Sequence, residues 1–435
     1  MKKFIVPALF AFLFVAASCM NMNGGSEKGG SIRVALPGSG RYYLYSKDNA
    51  DKFVVRVIGE SETIEKDAAL GGVIEFTELE AGEYTVEAEA RDSANNDELI
   101  ASGSKDIKVE ADKTTECSLT LILLSNIFSI AEDGSIVINK TKLEKTALTT
   151  VIDTATKITE SGSDGVFIDD RTVTLSPYSI GKYEVTQELF EAVMGENPSK
   201  FQGETYPPAE GETQKLRPVE SISWYHAIVF CNRLSILMGL EECYTAYDEN
   251  GQKVDCENIA YSDIKPNYPS AKNTWQSVSC DLSKNGFRLP TAAEWEFAAR
   301  GGDQYADDWD YTYAGTSDIN ALSDVAWYNN DLDASTKKTH EVGKLKPNRL
   351  GLYDMSGNCW EFCSDRSENI PSGEVIDPWA ENASGGCIRK SGSFSDNSNW
   401  AHISKSYPND VTDIKTYTYS NNGIRLARSG FPRAK

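Results

Sequence analysis

GLYDMSGNCWEF (residues 351–362) sets two carboxylates, Asp354 and Glu361, on either side of a small-residue turn, with Trp360 between them and Tyr353 and Phe362 flanking the pair. A segment of this kind is either a hairpin with a polar rim or a clamp that holds an ion. Calcium takes roughly six to eight oxygens, mixing carboxylates with carbonyls of tightly turning backbone. The stretch offers that kit: the side chains of Asp354 and Glu361, with the carbonyls of Gly357 and Cys359 between them.

Around it lies a long region with few helices. TQELFEAVMG (186–195), WYHAIVFCNRLSILMG (224–239) and TAAEWEFAARGG (291–302) read as helical. In the second, Ala227, Phe230, Cys231, Leu234 and Leu237 recur at three and four, which gives one apolar stripe. In the third, Thr291 is placed to cap the start and Glu294 to complete a capping box. Arg288 and Glu294 flank Pro290, where an internal ion pair locks helix to loop, and Arg300 reads as a carbonyl-capping cation at the helix end. The remainder is loop rich in Gly, Asn and Tyr, and the tryptophans begin at residue 224. Trp224, Trp295, Trp327 and Trp360 read as core anchors for those loops.

The 435 residues are too many for one ordinary core, so two domains are expected. A net charge of −22 repels phosphate backbones and excludes nucleic acid as a natural partner. Residues 1–19 read as an export signal: Lys2 and Lys3, the apolar run FIVPALFAFLFV, then AASC. The pattern resembles a bacterial lipoprotein signal with Cys19 as the lipidated residue; a plain signal peptide with an incidental cysteine is the alternative. It predicts a membrane anchor and a cell-envelope location, with the outer membrane or surface permitted by Met20. Residues 20–30 form a Gly/Ser tether. From 31 to 123, short alternating runs (SIRVALP, KFVVRVIG, GVIEFTEL, GEYTVEAEA) predict an antiparallel β-sandwich resembling immunoglobulin-like or prealbumin-like modules. Residues 124–165 lose that rhythm and read as a connector. The eight cysteines after Cys19 have no zinc-finger spacing, and His226, His340 and His402 stand far apart, so zinc chemistry is not expected.

YSIGKYEVTQELFEAVMG (178–195), RPVESISWYHAIVFCNRLS (217–235), FRLPTAAEWEFAARGG (287–302), KPNRLGLYDMSGNCWEF (346–362) and RKSGSFS with NNGIRLAR (389–428) resemble, in order, the blocks of the formylglycine-generating enzyme (sulfatase-modifying factor) domain. The resemblance spans about 166–430. It implies an irregular α+β fold of the C-type lectin kind. It also implies one of several roles: copper-dependent oxidation of a sulfatase cysteine, iron-dependent chemistry, or non-catalytic binding, as in variable proteins of diversity-generating retroelements. At the positions of Asp354, Gly357, Cys359 and Glu361 it implies a structural calcium ion. No ligands carry over to a second calcium site near SDVAWYNND (323–331).

The oxidase of this family binds copper(I) through two cysteines five positions apart, after a small tripeptide. With Ser391-Gly392-Ser393 as that tripeptide, Asp396 and Ala401 occupy the two positions, and no cysteine follows Cys387. Soft sulfur is what cuprous ion requires, so copper is not expected and oxidase activity is doubtful. Residues 395–424 hold 19 Ser, Thr, Asn, Asp and Tyr in thirty, a composition suited to recognition. Asn397, Asn399, Trp400, His402, Tyr407, Tyr417 and Tyr419 are the candidate ligand-binding residues, for a protein or glycan. A solvated loop in a decayed enzyme is the alternative.

Overall fold

The computed structural model describes residues 29–36, 52–68, 72–92, 98–118, 122–123, 128–138, 141–161, 165–264, 275, 277–329, 337–366, 372–379, 387–408 and 418–429. Cys19, the signal and most of the tether lie outside them. The chain is mostly sheet with few helices. Among the described residues no helix is long and apolar enough to cross a membrane.

Alternation in the N-terminal runs places every second side chain on a buried face. Ile32 and Val34, Phe53, Val55 and Val57, and Val86, Ala88 and Ala90 all enter one apolar cluster. Two sheets feed it. One has three strands in the order Val73–Leu79, Gly30–Ala35, Thr114–Ser118; the other has five, in the order Thr63–Ala68, Lys52–Ile58, Gly82–Asp92, Glu98–Val109, Ile122–Leu123. The expected antiparallel order fails at one pair. Thr114–Ser118 runs parallel to Gly30–Ala35, with Ser31 opposite Thr114 and Ala35 opposite Ser118. The reason is the turn at 110–113, which carries the chain out of the five-stranded sheet and onto the free edge of Gly30–Ala35 in the same direction. Strand Thr63–Ala68 escaped the sequence reading because TIEKDA has no buried position to mark it.

Residues 128–158 also differ from the expected connector. Leu148–Ile152 pairs with Tyr178–Gly181, and Thr156–Ile158 pairs with Arg171–Leu175. Phe128, Ile136, Ile138 and Leu143 enter the same core as the first two helices. The larger domain therefore begins well before residue 166.

Helix α1 (Gln187–Met194) starts at Thr186, whose hydroxyl accepts from Leu189 N, and ends at Gly195 with φ 76°. Helix α2 (Trp224–Leu237) has a capping box of Ser223 and His226. Its apolar stripe is narrower than its burial, since every residue from Trp224 to Ser235 is inside. Arg233 is tolerated there because Nε donates to the Cys256 carbonyl (3.1 Å) and a terminal nitrogen to that of Ile259 (2.8 Å). Helix α3 (Ala292–Ala299) carries the Thr291–Glu294 capping box read from the sequence. Arg288 binds Glu294 in a two-pronged pair at 2.6 and 2.7 Å, both side chains buried.

Two sheets organise what remains. Tyr178–Gly181 lies between Leu148–Ile152 and Ala427–Ser429, so the two ends of the larger domain close on one another. Trp360–Arg366 lies between Cys387–Lys390 and Asn422–Gly423, with Tyr407–Pro408 beyond Cys387–Lys390. The turn of the opening stretch is held against Trp327: Gly357 has φ 86°, and a Cβ there would sit 2.2 Å from the Trp327 carbonyl oxygen. Gly357→Ala is expected to cost more than about 2 kcal/mol of unfolding free energy, from strain and the clash together. Urea titration of the variant against wild type measures it.

Candidate functional site

The two carboxylates of GLYDMSGNCWEF are spent on internal partners. Glu361 is fully buried. Its Oε1 accepts from Arg425 at 2.6 and 3.0 Å, and its Oε2 from Arg425 Nε (2.9 Å) and Trp295 Nε1 (2.5 Å). The same guanidinium donates to the carbonyls of Gly181 (2.9 Å) and Tyr353 (2.8 Å). Asp354, at φ 58°, accepts from Gly343 N at 2.7 Å through Oδ2, while Oδ1 is buried without a partner. The Gly357 carbonyl accepts from Ser391 Oγ at 3.0 Å, and Cys359 N donates to Glu184 Oε1 at 2.9 Å. At Glu361, one of the positions where the family resemblance implies calcium, the positive charge at hand is that of Arg425.

The burial has electrostatic consequences. Desolvation pushes the Glu184 carboxyl well above the usual range, and the charges of Asp354 and Glu361 push it further. Desolvation also raises Asp354 to about 6, against the opposing donor at Gly343.

Asp396 and Ala401 have structural roles where the oxidase would carry its thiols. Asp396 Oδ2 accepts from Trp360 Nε1 (2.8 Å) and from Ser393 Oγ, and its carbonyl accepts from Asn329 N (2.7 Å). Ala401 is buried, and its carbonyl accepts from Ser356 Oγ at 2.8 Å. The eight described cysteines are buried. Burial drives Cys243 up to about 11 and Cys256 to about 12, and Cys359 and Cys363 well above the ordinary thiol range. Thiols held protonated and out of solvent are poor nucleophiles and poor copper ligands.

The polar C-terminal segment forms two adjoining features. Trp400 and Tyr407 come together 5.2 Å apart, and Trp360 joins them at 5.9 and 5.7 Å. Asn397 caps the short turn Ser398–Trp400 by accepting from Asn399 N at 3.1 Å, and Asn399 is exposed. His402 turns aside onto Tyr313, edge to face at 5.1 Å. Tyr419 is 42% exposed and lines a separate groove of about 360 Å³ with Lys200, Phe201, Tyr206, Phe394 and Asn421. Tyr417 lies outside the described residues. The sequence reading missed Arg389, whose guanidinium lies over the rings of Trp360 (5.4 Å) and Tyr407 (4.9 Å). It also missed Lys200, which lies over Phe201 and Tyr206 at 5.3 and 5.5 Å. Neither belongs to the Ser/Asn/Tyr-rich tract that drew attention, and only chain pairing brings them to it.

A loop-rich α+β domain with three α-helices among its described residues, buried ion pairs and an aromatic C-terminal segment defines the class. The chain belongs to the sulfatase-modifying factor enzyme 1-like domain family, whose model matches residues 139–430 and so takes in the strands at 148–158. It is 39% identical over 213 residues to the chaperone protein LppX of Paenibacillus barcinonensis, covering 45% of this chain and 66% of that protein, just under two thirds of its length. It is 27% identical over 230 residues to the formylglycine-generating enzyme of Streptomyces coelicolor, covering 51% of this chain and 69% of the enzyme. Among solved structures, Treponema denticola variable protein 1 is 38% identical with a TM-score of 0.56, covering 65% of this chain and 94% of that one.

Because folding raises the Asp354 pKa from 3.8 to about 6, the native state binds the proton more tightly than the unfolded chain. Its contribution to stability is therefore present below about pH 4 and lost as pH rises through 6. Asp354→Asn is expected to gain about 1–2 kcal/mol at pH 7 and to flatten the pH dependence of stability between pH 4 and 7, read by denaturant titration at each pH.

Proposed function

We propose that this chain is an exported, lipid-anchored, non-catalytic member of its family that binds a ligand through its C-terminal face. Lipidation at Cys19 ties it to the membrane, and the two-sheet module at 30–123, read as a β-sandwich, spaces the binding head from the cell envelope. The observation that carries the non-catalytic reading is the replacement of the copper thiols by Asp396 and Ala401, each committed to internal hydrogen bonds. The observation that supports binding is the half-buried pair Trp400 and Tyr407, backed by the buried ring of Trp360, an aromatic arrangement of the kind that anchors recognition. A protein is the first ligand to test, because the Paenibacillus relative is named a chaperone and the Treponema relative a variable protein. A glycan is the second.

The full chain, screened on protein and glycan arrays, is expected to bind a discrete ligand saturably. Trp400→Ala with Tyr407→Ala is expected to weaken that binding at least about tenfold, as for loss of central aromatic anchors. Incubated with copper and a sulfatase-motif peptide, the protein is expected to leave the peptide cysteine intact by mass spectrometry. An aldehyde product would overturn the reading. Cys19→Ala is expected to shift the protein from the membrane fraction to the soluble one.

A further inference from the structure

Among the described residues Arg389 is a buried cation that no carboxylate touches, Asp396 acting on it only at longer range. Its side chain sits in a residue only 5% exposed, yet among the described residues no carboxylate pairs with it. Its one hydrogen bond goes from a terminal nitrogen to Asn422 Oδ1, a neutral acceptor. Its Nε is buried without a partner, and so is Nδ2 of the same Asn422. Asp396, a nearby carboxylate, is occupied by Trp360 Nε1 and Ser393 Oγ. Arg425 and Arg288, buried in the same domain, each bind a glutamate through two nitrogens, and buried Arg217 and Arg233 each donate to more than one neutral oxygen, whereas Arg389 donates to one.

A guanidinium removed from water is costly unless an anion and hydrogen bonds compensate it. The rings of Trp360 and Tyr407 beneath Arg389 offset part of that cost but satisfy neither orphaned N–H group. Desolvation lowers the Arg389 pKa to about 10, so the group stays charged at neutral pH and continues to want an anion. Strand order produces the arrangement. Asn422 lies opposite Trp360, and Arg389 lies opposite both Phe362 and Tyr407, so two donors and two rings meet on neighbouring strands.

We infer that Arg389 and Asn422 form a seat for one carboxylate, borne on a flat apolar group that packs against Trp400 and Tyr407. The inference rests on the ligand-binding reading of this face and adds the chemistry of what is bound. A single charge is favoured over a polyanion because the protein itself carries −22. An acidic side chain or chain terminus of a protein ligand, beside an apolar residue, supplies that combination.

The test uses the full chain and three small probes at constant ionic strength, followed by saturation-transfer NMR and by thermal melting. Benzoate is expected to bind saturably and to raise the melting temperature. Benzyl alcohol, the same ring without the charge, and glucuronate, the charge without a flat ring, are each expected to bind at least tenfold more weakly. Arg389→Met is expected to lose benzoate binding with little change in melting temperature, because the cation it removes touches no carboxylate among the described residues. Equal binding of benzoate and benzyl alcohol, or undiminished benzoate binding by Arg389→Met, overturns the seat. Tighter glucuronate overturns the flat-group requirement. A large fall in the melting temperature of Arg389→Met shows a structural guanidinium and also overturns it. The wild-type comparison of probes decides the matter without any variant. An array ligand that binds wild type and Arg389→Met alike sinks this inference and leaves the receptor reading standing. Absence of any array ligand beside clear benzoate selectivity sinks the receptor reading instead.

Discussion

The larger domain depends on one buried pair, Arg425 with Glu361. Arg425 comes from near the end of the chain, Glu361 from the middle strand of a four-stranded sheet, and the same guanidinium holds the carbonyls of Gly181 and Tyr353. Trp295 of α3 closes on the other side of Glu361. Four distant segments therefore meet at one ion pair. Removing either partner would strand a charge inside the protein, a penalty that commonly exceeds what the intact pair contributes. The pair is better understood as a device for choosing one arrangement of long loops than as a source of net stability.

The same logic repeats around it. Arg288 with Glu294 fixes the start of α3, and Glu296 joins Arg300 and Lys390 so that the helix is tied to strand Cys387–Lys390. With so few helices, these charged knots take over the pinning that continuous secondary structure would supply. The irregular turn of the opening stretch is secured in the same way, by arginine and by hydrogen bonds from Ser391.

A core secured in this way leaves the outer face free to vary in chemistry. Where a copper oxidase would present two thiols, this chain places a carboxylate that steadies an indole and a methyl group that packs inside. The surrounding rings, Arg389 and the groove beside Tyr419 make up the face proposed for recognition. In the proposed seat, affinity for a carboxylate and economy of folding pull against each other at Arg389.

Much was legible in the residues alone. The ordered blocks, the capping box at Thr291 and Glu294, the Arg288–Glu294 pair, the missing cysteines and the strand rhythm before residue 123 are local or spaced by a few residues, and local spacing is what sequence expresses. Trp400, Tyr407 and Tyr419 could be singled out by type. What lay hidden were relations between distant residues. The parallel pairing of Thr114–Ser118, the recruitment of 148–158 into the larger domain and the turning of His402 onto Tyr313 all depend on which edge is free once other strands have paired. Residue types alone named Asp354 and Glu361 as carboxylates, but only packing decided that Glu361 would meet an arginine and that Arg389 would touch no carboxylate among the described residues, because charge compensation is settled by neighbours in space, not along the chain.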